Sequence, residues 1–266
     1  MTPVGTENLA FEKQGATAIV TMNRPEARNA LSLPMLVGMA DAWEEIDNND
    51  EIRCAILTGA GGTFCAGMDL KAMGGAGAEK YRHRQEADPD LHWKALLRHY
   101  DVKKPLIAAV EGWAVAGGTE ILQATDIRVA GASAIFGIFE AKRGLFPLGG
   151  STVRLRRQIP FTVAMELLLT AREVRAEEAL RIGLIGHVVP DGTALEKALE
   201  IAHVIGQNGP LAVEAIKRSV RETEGMSEVD GLARELEIGW PIFASLDAAE
   251  GQKAFAEKRP PNFTRQ

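Results

Sequence analysis

Two carboxylates stand where a carboxylate is costly. Glu120 opens an apolar run in EGWAVAGGTEILQATD (111–126), and Glu140 sits among apolar residues in FGIFEAKRGLFPLGGS (136–151). A charge that leaves water needs a partner or a shifted pKa. Either Glu taken singly reads as a surface or capping residue. Two of them, each flanked by apolar runs and Gly turns, suit a site that divides general-base and general-acid work between carboxylates in unlike surroundings.

Two glycine-bearing segments supply the complementary polarity. GAGGTFCAGMDL (59–70) and AVAGGTE (114–120) each follow a strand-like run and open a helix-like one. Backbone NH groups are unpaired at such a junction and bind developing negative charge, while glycine lets a ligand approach the backbone closely. Converging, the two would make an oxyanion hole. Taken alone, each also reads as ordinary turn chemistry.

The elements that must hold these groups follow from periodicity. TAIVTMN (17–23) and CAILTG (54–59) predict short strands around a one-sided helix, LVGMADAWEEID (36–47). LIAAVEGWAV (106–115), IRVAG (127–131) and AIFGI (134–138) predict further strands, giving an α/β core of short parallel strands. Beyond about residue 200 the pattern is helical without strands, in LEKALEIAHVIGQ, PLAVEAIKRSVRETEG and AAEGQKAFAEKR. Two units are therefore expected, an α/β core over 1–200 and a helical module over 201–266. Segment 74–90 combines small residues with dense charge and is expected to be mobile at one end.

Composition narrows the function classes. The chain has 266 residues, 46% of them hydrophobic and 25% charged, which describes a globular protein with a large core. Its net charge of −6 argues against nucleic acid as a principal partner, and Arg154, Arg156 and Arg157 read as a solvated helix face. No apolar run is long enough to span a membrane, and the N-terminus lacks a secretory pattern, so a cytoplasmic, non-membrane protein is expected. Cys54 and Cys65 have no second Cys at metal-binding spacing, and His83, His92, His99, His187 and His203 form no metal motif. No metal site is expected.

Five segments in order then resemble the enoyl-CoA hydratase/isomerase, or crotonase, superfamily. They are NRPEARNAL (23–31), ILTGAGGTFCAGMDL (56–70), KPLIAAVEGWAVAGGTEILQATDIRVAG (104–131), FGIFEAKRGLFPLGGSTVRL (136–155) and AFAEKRPPNF (254–263). The resemblance implies a crotonase-like spiral of ββα units and a C-terminal helical trimerisation module, with homotrimers often paired as hexamers. It implies an acyl-CoA thioester as substrate and no cofactor beyond the coenzyme A that the substrate carries. By the same resemblance the thioester oxygen lies between the backbone NH groups of Met68 and Gly117, and Glu120 and Glu140 are the catalytic pair. Coenzyme A would run past Ala27, Arg28, Ala30, Ala66, Asp69 and Leu70, with Phe255 and Lys258 reaching a neighbouring subunit's ligand. Asp69 also reads as a cap on backbone NH groups at a helix start.

With both glutamates present, the resemblance implies a 2-enoyl-CoA hydratase. A 3,2-enoyl-CoA isomerase, needing only the carboxylate at 140, is the nearest alternative. A non-catalytic acyl-CoA- or RNA-binding protein is the alternative of another class. Three departures from the family pattern stand out: Phe139 replaces a common Pro, Ala116 replaces the first glycine of a triple, and Pro147-Leu148-Gly149-Gly150-Ser151 replaces Pro-Gly-x-Gly-Gly. The stretch 74–89 and the helix with Leu91, Trp93, Leu96 and Leu97 are expected to border the acyl tail.

Overall fold

The structure, a computed structural model, describes residues 4–69 and 76–266, without the side chains of 76–78. Leu70 and Gly74 therefore lie outside the described residues. Six strands form the main sheet in the order β1 (Leu9–Gln14), β2 (Thr17–Met22), β3 (Cys54–Gly59), β4 (Leu106–Val110), β6 (Ile127–Gly131) and β9 (His187–Val189). All neighbours are parallel except the β1–β2 hairpin. A second, three-stranded sheet orders β5 (Trp113–Val115), β7 (Ile135–Gly137) and β8 (Val174–Arg175).

Both faces of the main sheet are covered, which is why its central strands read as continuous apolar runs. Ala55, Leu57, Ala108 and Val110 face one side, into the core that holds α1 (Leu33–Asn48) and its buried Trp43. Their alternates Cys54, Ile56, Ile107 and Ala109 meet Ala194, Ala198 and Ala202 of α8 (Ala194–Gly206) on the other. Ser32 caps α1 by accepting from the Met35 NH, and Pro34 fits the first turn, where no NH partner is needed.

The remaining helices fill in around this core. They are α2 (Ala76–Ala87), α3 (Leu91–Ala95), α4 (Gly117–Leu122), α5 (Ser151–Gln158), α6 (Phe161–Thr170) and α7 (Ala176–Arg181), then α9 (Pro210–Glu222), α10 (Glu228–Gly239) and α11 (Leu246–Glu257). Leu91, Leu96 and Leu97 are buried in the core with α1, and the Trp43 indole NH donates to the Ala95 carbonyl at 3.0 Å. Residue 200 falls inside α8. Beyond that helix, α9 is tied to the core by Lys217 Nζ and Arg221 Nη2, which reach the Asp126 carboxylate at 2.6 and 3.1 Å.

The structure corrects one expectation and adds elements that the pattern did not show. The single strand expected over 106–115 is two: Gly112, at φ +55, turns the chain out of the main sheet, so β4 and β5 belong to different sheets. β1, β8 and β9 carry too few buried residues to declare themselves by pattern. Residues 76–87 of the charged segment form α2.

Candidate active site

β5 and β7 are parallel neighbours in register, Val115 opposite Gly137, so the residues following each emerge at the same end. Beyond Val115 comes Ala116 and then α4 with Glu120. Beyond Gly137 comes the 3-10 turn Glu140–Arg143. The sheet's register alone thus brings the two carboxylates to one place.

The loop carrying Met68 is stitched against β5 and the chain before α1. Cys65 NH donates to the Trp113 carbonyl and Val115 NH to the Cys65 carbonyl, at 2.8 and 2.9 Å. Leu31 NH donates to the Gly67 carbonyl and Asp69 NH to the Leu31 carbonyl, at 2.8 and 3.0 Å. Because strand NH groups alternate in direction, the intervening Met68 NH points away from Leu31, to the side where α4 begins. Gly67 has φ +91, and a Cβ there would lie 2.8 Å from the Ala116 Cβ and 3.2 Å from the Gly117 nitrogen. A Cβ on Gly117 would lie 3.7 Å from the Met68 nitrogen. Among the described residues, neither the Met68 NH nor the Gly117 NH has an acceptor. Two unpaired donors therefore sit side by side.

Ala116 makes this turn at a cost, with φ 50 and ψ −124, a region that favours glycine. Its NH donates to the Gly137 carbonyl at 2.7 Å, which clamps the turn to β7. The Thr119 hydroxyl reaches the carbonyls of Ala114 and Gly137. The first turn of α4 is thereby fixed from both strands.

Glu120 is buried, 5% exposed, and its Oε1 accepts from the Ser151 NH at 3.3 Å. Burial pushes its pKa up, while the backbone NH groups of Ser151 and Gly149, the Ser151 hydroxyl and the Arg154 guanidinium pull the other way. Gly149 must lack a side chain, since a Cβ there would lie 2.6 Å from Glu120 Oε2. Arg154 is not part of a solvated helix face as expected. It turns inward, donating to the carbonyls of Gly149 and Leu97, and so braces the loop against Glu120. Arg98 reaches the Leu148 carbonyl of the same loop.

Glu140 is half-buried, and burial, with the Glu120 charge beside it, pushes its pKa up to about 7. Its Oε2 has no partner among the described residues. Phe139 folds its ring back onto Gly137, and Lys142 Nζ lies 4.7 Å from that ring's centroid.

Of the residues assigned to coenzyme A by resemblance, Ala27, Arg28, Ala30, Ala66 and Asp69 gather on one stretch of surface. Ala66 NH donates to the Arg28 carbonyl at 3.0 Å, and Arg28 itself lies at the surface with φ 52. Asp69 pairs with Arg24, whose Nη1 lies 2.6 Å from its Oδ2. Phe255 and Lys258 are exposed at the end of α11, a helix that holds neither carboxylate. Among the described residues, no cluster of three His, Cys, Asp or Glu side chains could hold a metal ion. No helix among them is long and apolar enough to cross a membrane. Ser151, Gln123, Arg154 and Arg98 were not foreseen; only the departure at Ser151 offered a signal.

Comparison with known proteins gives the same orientation. Residues 12–266 match the enoyl-CoA hydratase/isomerase family. The chain is 59% identical over 253 residues to the enoyl-CoA hydratase EchA19 of Mycobacterium tuberculosis, covering 95% of this chain and 94% of that protein. It is 38% identical to a short-chain-enoyl-CoA hydratase of Clostridium acetobutylicum, with 95% of each covered. A crystal structure of enoyl-CoA hydratase from Mycobacterium tuberculosis superposes with a TM-score of 0.88 at 42% identity, over 97% of this chain and 99% of that one.

Proposed function

The chain belongs to the enoyl-CoA hydratase/isomerase family and is an enoyl-CoA hydratase, and we propose that Glu120 and Glu140 carry the addition of water. The thioester oxygen of a 2-trans-enoyl-CoA lies between the NH groups of Met68 and Gly117. Polarised there, the conjugated system is electrophilic at C3. Glu120, ionised, takes a proton from water as the water oxygen bonds to C3. The C2–C3 π electrons move toward the thioester oxygen, where the two NH donors meet the enolate charge. Glu140, protonated, gives its proton to C2, and the product is the 3-hydroxyacyl-CoA. Each bond change is met by a side chain or a backbone donor, so this route calls on no resident cofactor.

One observation carries the reading: two carboxylates in unlike surroundings, one held by donors and one left unpaired, beside two NH groups without acceptors. A donor fixed in advance stabilises the charge where it develops, and losing one typically costs on the order of a hundredfold in rate or more. Isomerisation would need only Glu140, leaving the built surroundings of Glu120 without a use. The test is the loss of conjugated enoyl-thioester absorbance across 2-enoyl-CoA chain lengths, with Glu120→Gln as control. Rapid loss in the wild type alone supports the mechanism; equal rates in both overturn it.

The same proposal includes the assembly. Ile216, Leu236, Trp240 and Phe243 are exposed around an apolar groove between α9, α10 and the turn Trp240–Ala244. Exposed apolar surface of this kind favours burial against further copies of the chain. A trimer, or a pair of trimers, would cover it and would bring Phe255 and Lys258 of one subunit to another's coenzyme A. Arg28 and Lys258 suit its phosphates. Light scattering that returned a monomer mass would overturn the assembly.

A further inference from the structure

The hydration scheme gives no task to the Ser151 hydroxyl, yet Ser151 is fully buried at the start of α5, with its NH on Glu120. Gln123, at the end of α4, donates from Nε2 to Ser151 Oγ at 2.8 Å and to the Thr119 carbonyl at 3.2 Å. The second bond fixes the direction of the amide, because a carbonyl only accepts, so the group facing it must be the NH2. A lone pair of Ser151 Oγ is therefore occupied by a donor, and the hydroxyl proton must point elsewhere. The Glu120 carboxylate, whose Oε1 already accepts the Ser151 NH at 3.3 Å, is the group available to accept it.

The amide gives up a bond to keep this direction. Gln123 Oε1 is buried without a partner among the described residues. Its backbone is held as well, since the Gln123 carbonyl accepts from Gln158 Nε2 and Arg128 Nη2 at 2.9 and 3.1 Å. Ser151 is also, with Leu148, one of the two positions at which this loop departs from the glycine pattern that the resemblance implies.

We propose that Ser151 is a positioning residue for hydration: oriented by Gln123, its hydroxyl donates to Glu120 and holds that carboxylate in its ionised, proton-accepting form while Glu140 keeps the proton. This rests on the two-glutamate reading. The charged groups that also face Glu120 are Arg154 from α5 and Glu140 from the turn after β7, and substitution at 151 leaves both in place.

The experiment is the pH dependence of kcat and KM for hydration of a short 2-enoyl-CoA by wild type, Ser151→Ala, Ser151→Gly, Ser151→Thr and Glu120→Gln. Both hydroxyl-free variants should move the acid limb of kcat to higher pH by about one unit, lowering kcat about tenfold on that limb. KM and the plateau should change less than about twofold. Ser151→Thr, which keeps the hydroxyl, should follow the wild type. Unmoved limbs in Ser151→Ala and Ser151→Gly, with Glu120→Gln inactive, would overturn the role of Ser151 and leave the two-glutamate mechanism standing. An active Glu120→Gln would overturn both.

Discussion

Glu120 and Glu140 are the same residue type, delivered by adjacent parallel strands to one end of a small sheet, and they have been given opposite surroundings. Glu120 is the more deeply buried of the two, yet it is met by two backbone NH groups, a hydroxyl and an arginine brace. Glu140 is less buried but has an oxygen with no partner and a negative neighbour. Burial raises the proton affinity of both. Hydrogen bonds to the anion and the Arg154 charge oppose the upward push of burial at Glu120, whereas at Glu140 the Glu120 charge adds to it and carries the pKa up to about 7.

Removing either group should have the largest effect. Glu120→Gln and Glu140→Gln should each lower kcat for hydration by about a hundred- to ten-thousandfold with KM little changed. The two separate in a second measurement, solvent-deuterium exchange at C2 of a saturated acyl-CoA, in which the ionised carboxylate at 140 takes a proton from C2 and, after exchange with solvent, returns a deuteron. Exchange should survive in Glu120→Gln and vanish in Glu140→Gln; the reverse would exchange their roles.

Next in size is the alkaline limb. The proposed mechanism uses the protonated form of Glu140, so on the alkaline side of the limb set by Glu120 kcat/KM should fall as pH rises through about 7. A rate profile flat from about pH 6 to about pH 9 would break the contrast between the two carboxylates.

A smaller effect belongs to the Glu120 side. Ala116 holds a positive φ that glycine adopts freely, so Ala116→Gly should release strain, offset in part by the entropy glycine adds to the unfolded chain. The net expectation is a stabilisation of about 1 kcal/mol, read from denaturant midpoints. A destabilised variant would show that the Ala116 methyl packs better than its backbone conformation costs.

Stability should also depend on pH. Glu140 has a folded pKa raised above its unfolded value, so its proton stabilises the fold at acid pH, and that contribution is lost as pH rises from the unfolded value through about 7. The Tm of Glu140→Gln relative to wild type should therefore increase between about pH 5 and about pH 8. An unchanged difference would place Glu140 in a more solvated setting than described.

How much of this was legible in the sequence depended on whether one element or several decide the outcome. β2, β3 and α1 announced themselves, since each carries its own apolar period. β1 did not, because half its residues face solvent and its partner β2 sets its register. The break between β4 and β5 hinges on Gly112, a single residue whose left-handed backbone no period reveals. At the site, Glu120 and Glu140 were visible as charges in apolar company. Arg154 was not, because its direction depends on carbonyls at Gly149 and Leu97, the latter far away in sequence. Gln123 and Ser151 likewise meet only once α4 and α5 are packed.

The methyl group of Ala116 also constrains the order in which this protein can change. A Cβ at Gly67 would sit 2.8 Å from that methyl, so the two positions cannot be varied independently. A mutational path that enlarges residue 67 has to pass first through Ala116→Gly, and even then meets the Gly117 nitrogen at 3.2 Å. A library built on the wild-type chain and one built on the Ala116→Gly variant would rank the same substitutions at Gly67 differently, an epistasis written into one turn of backbone.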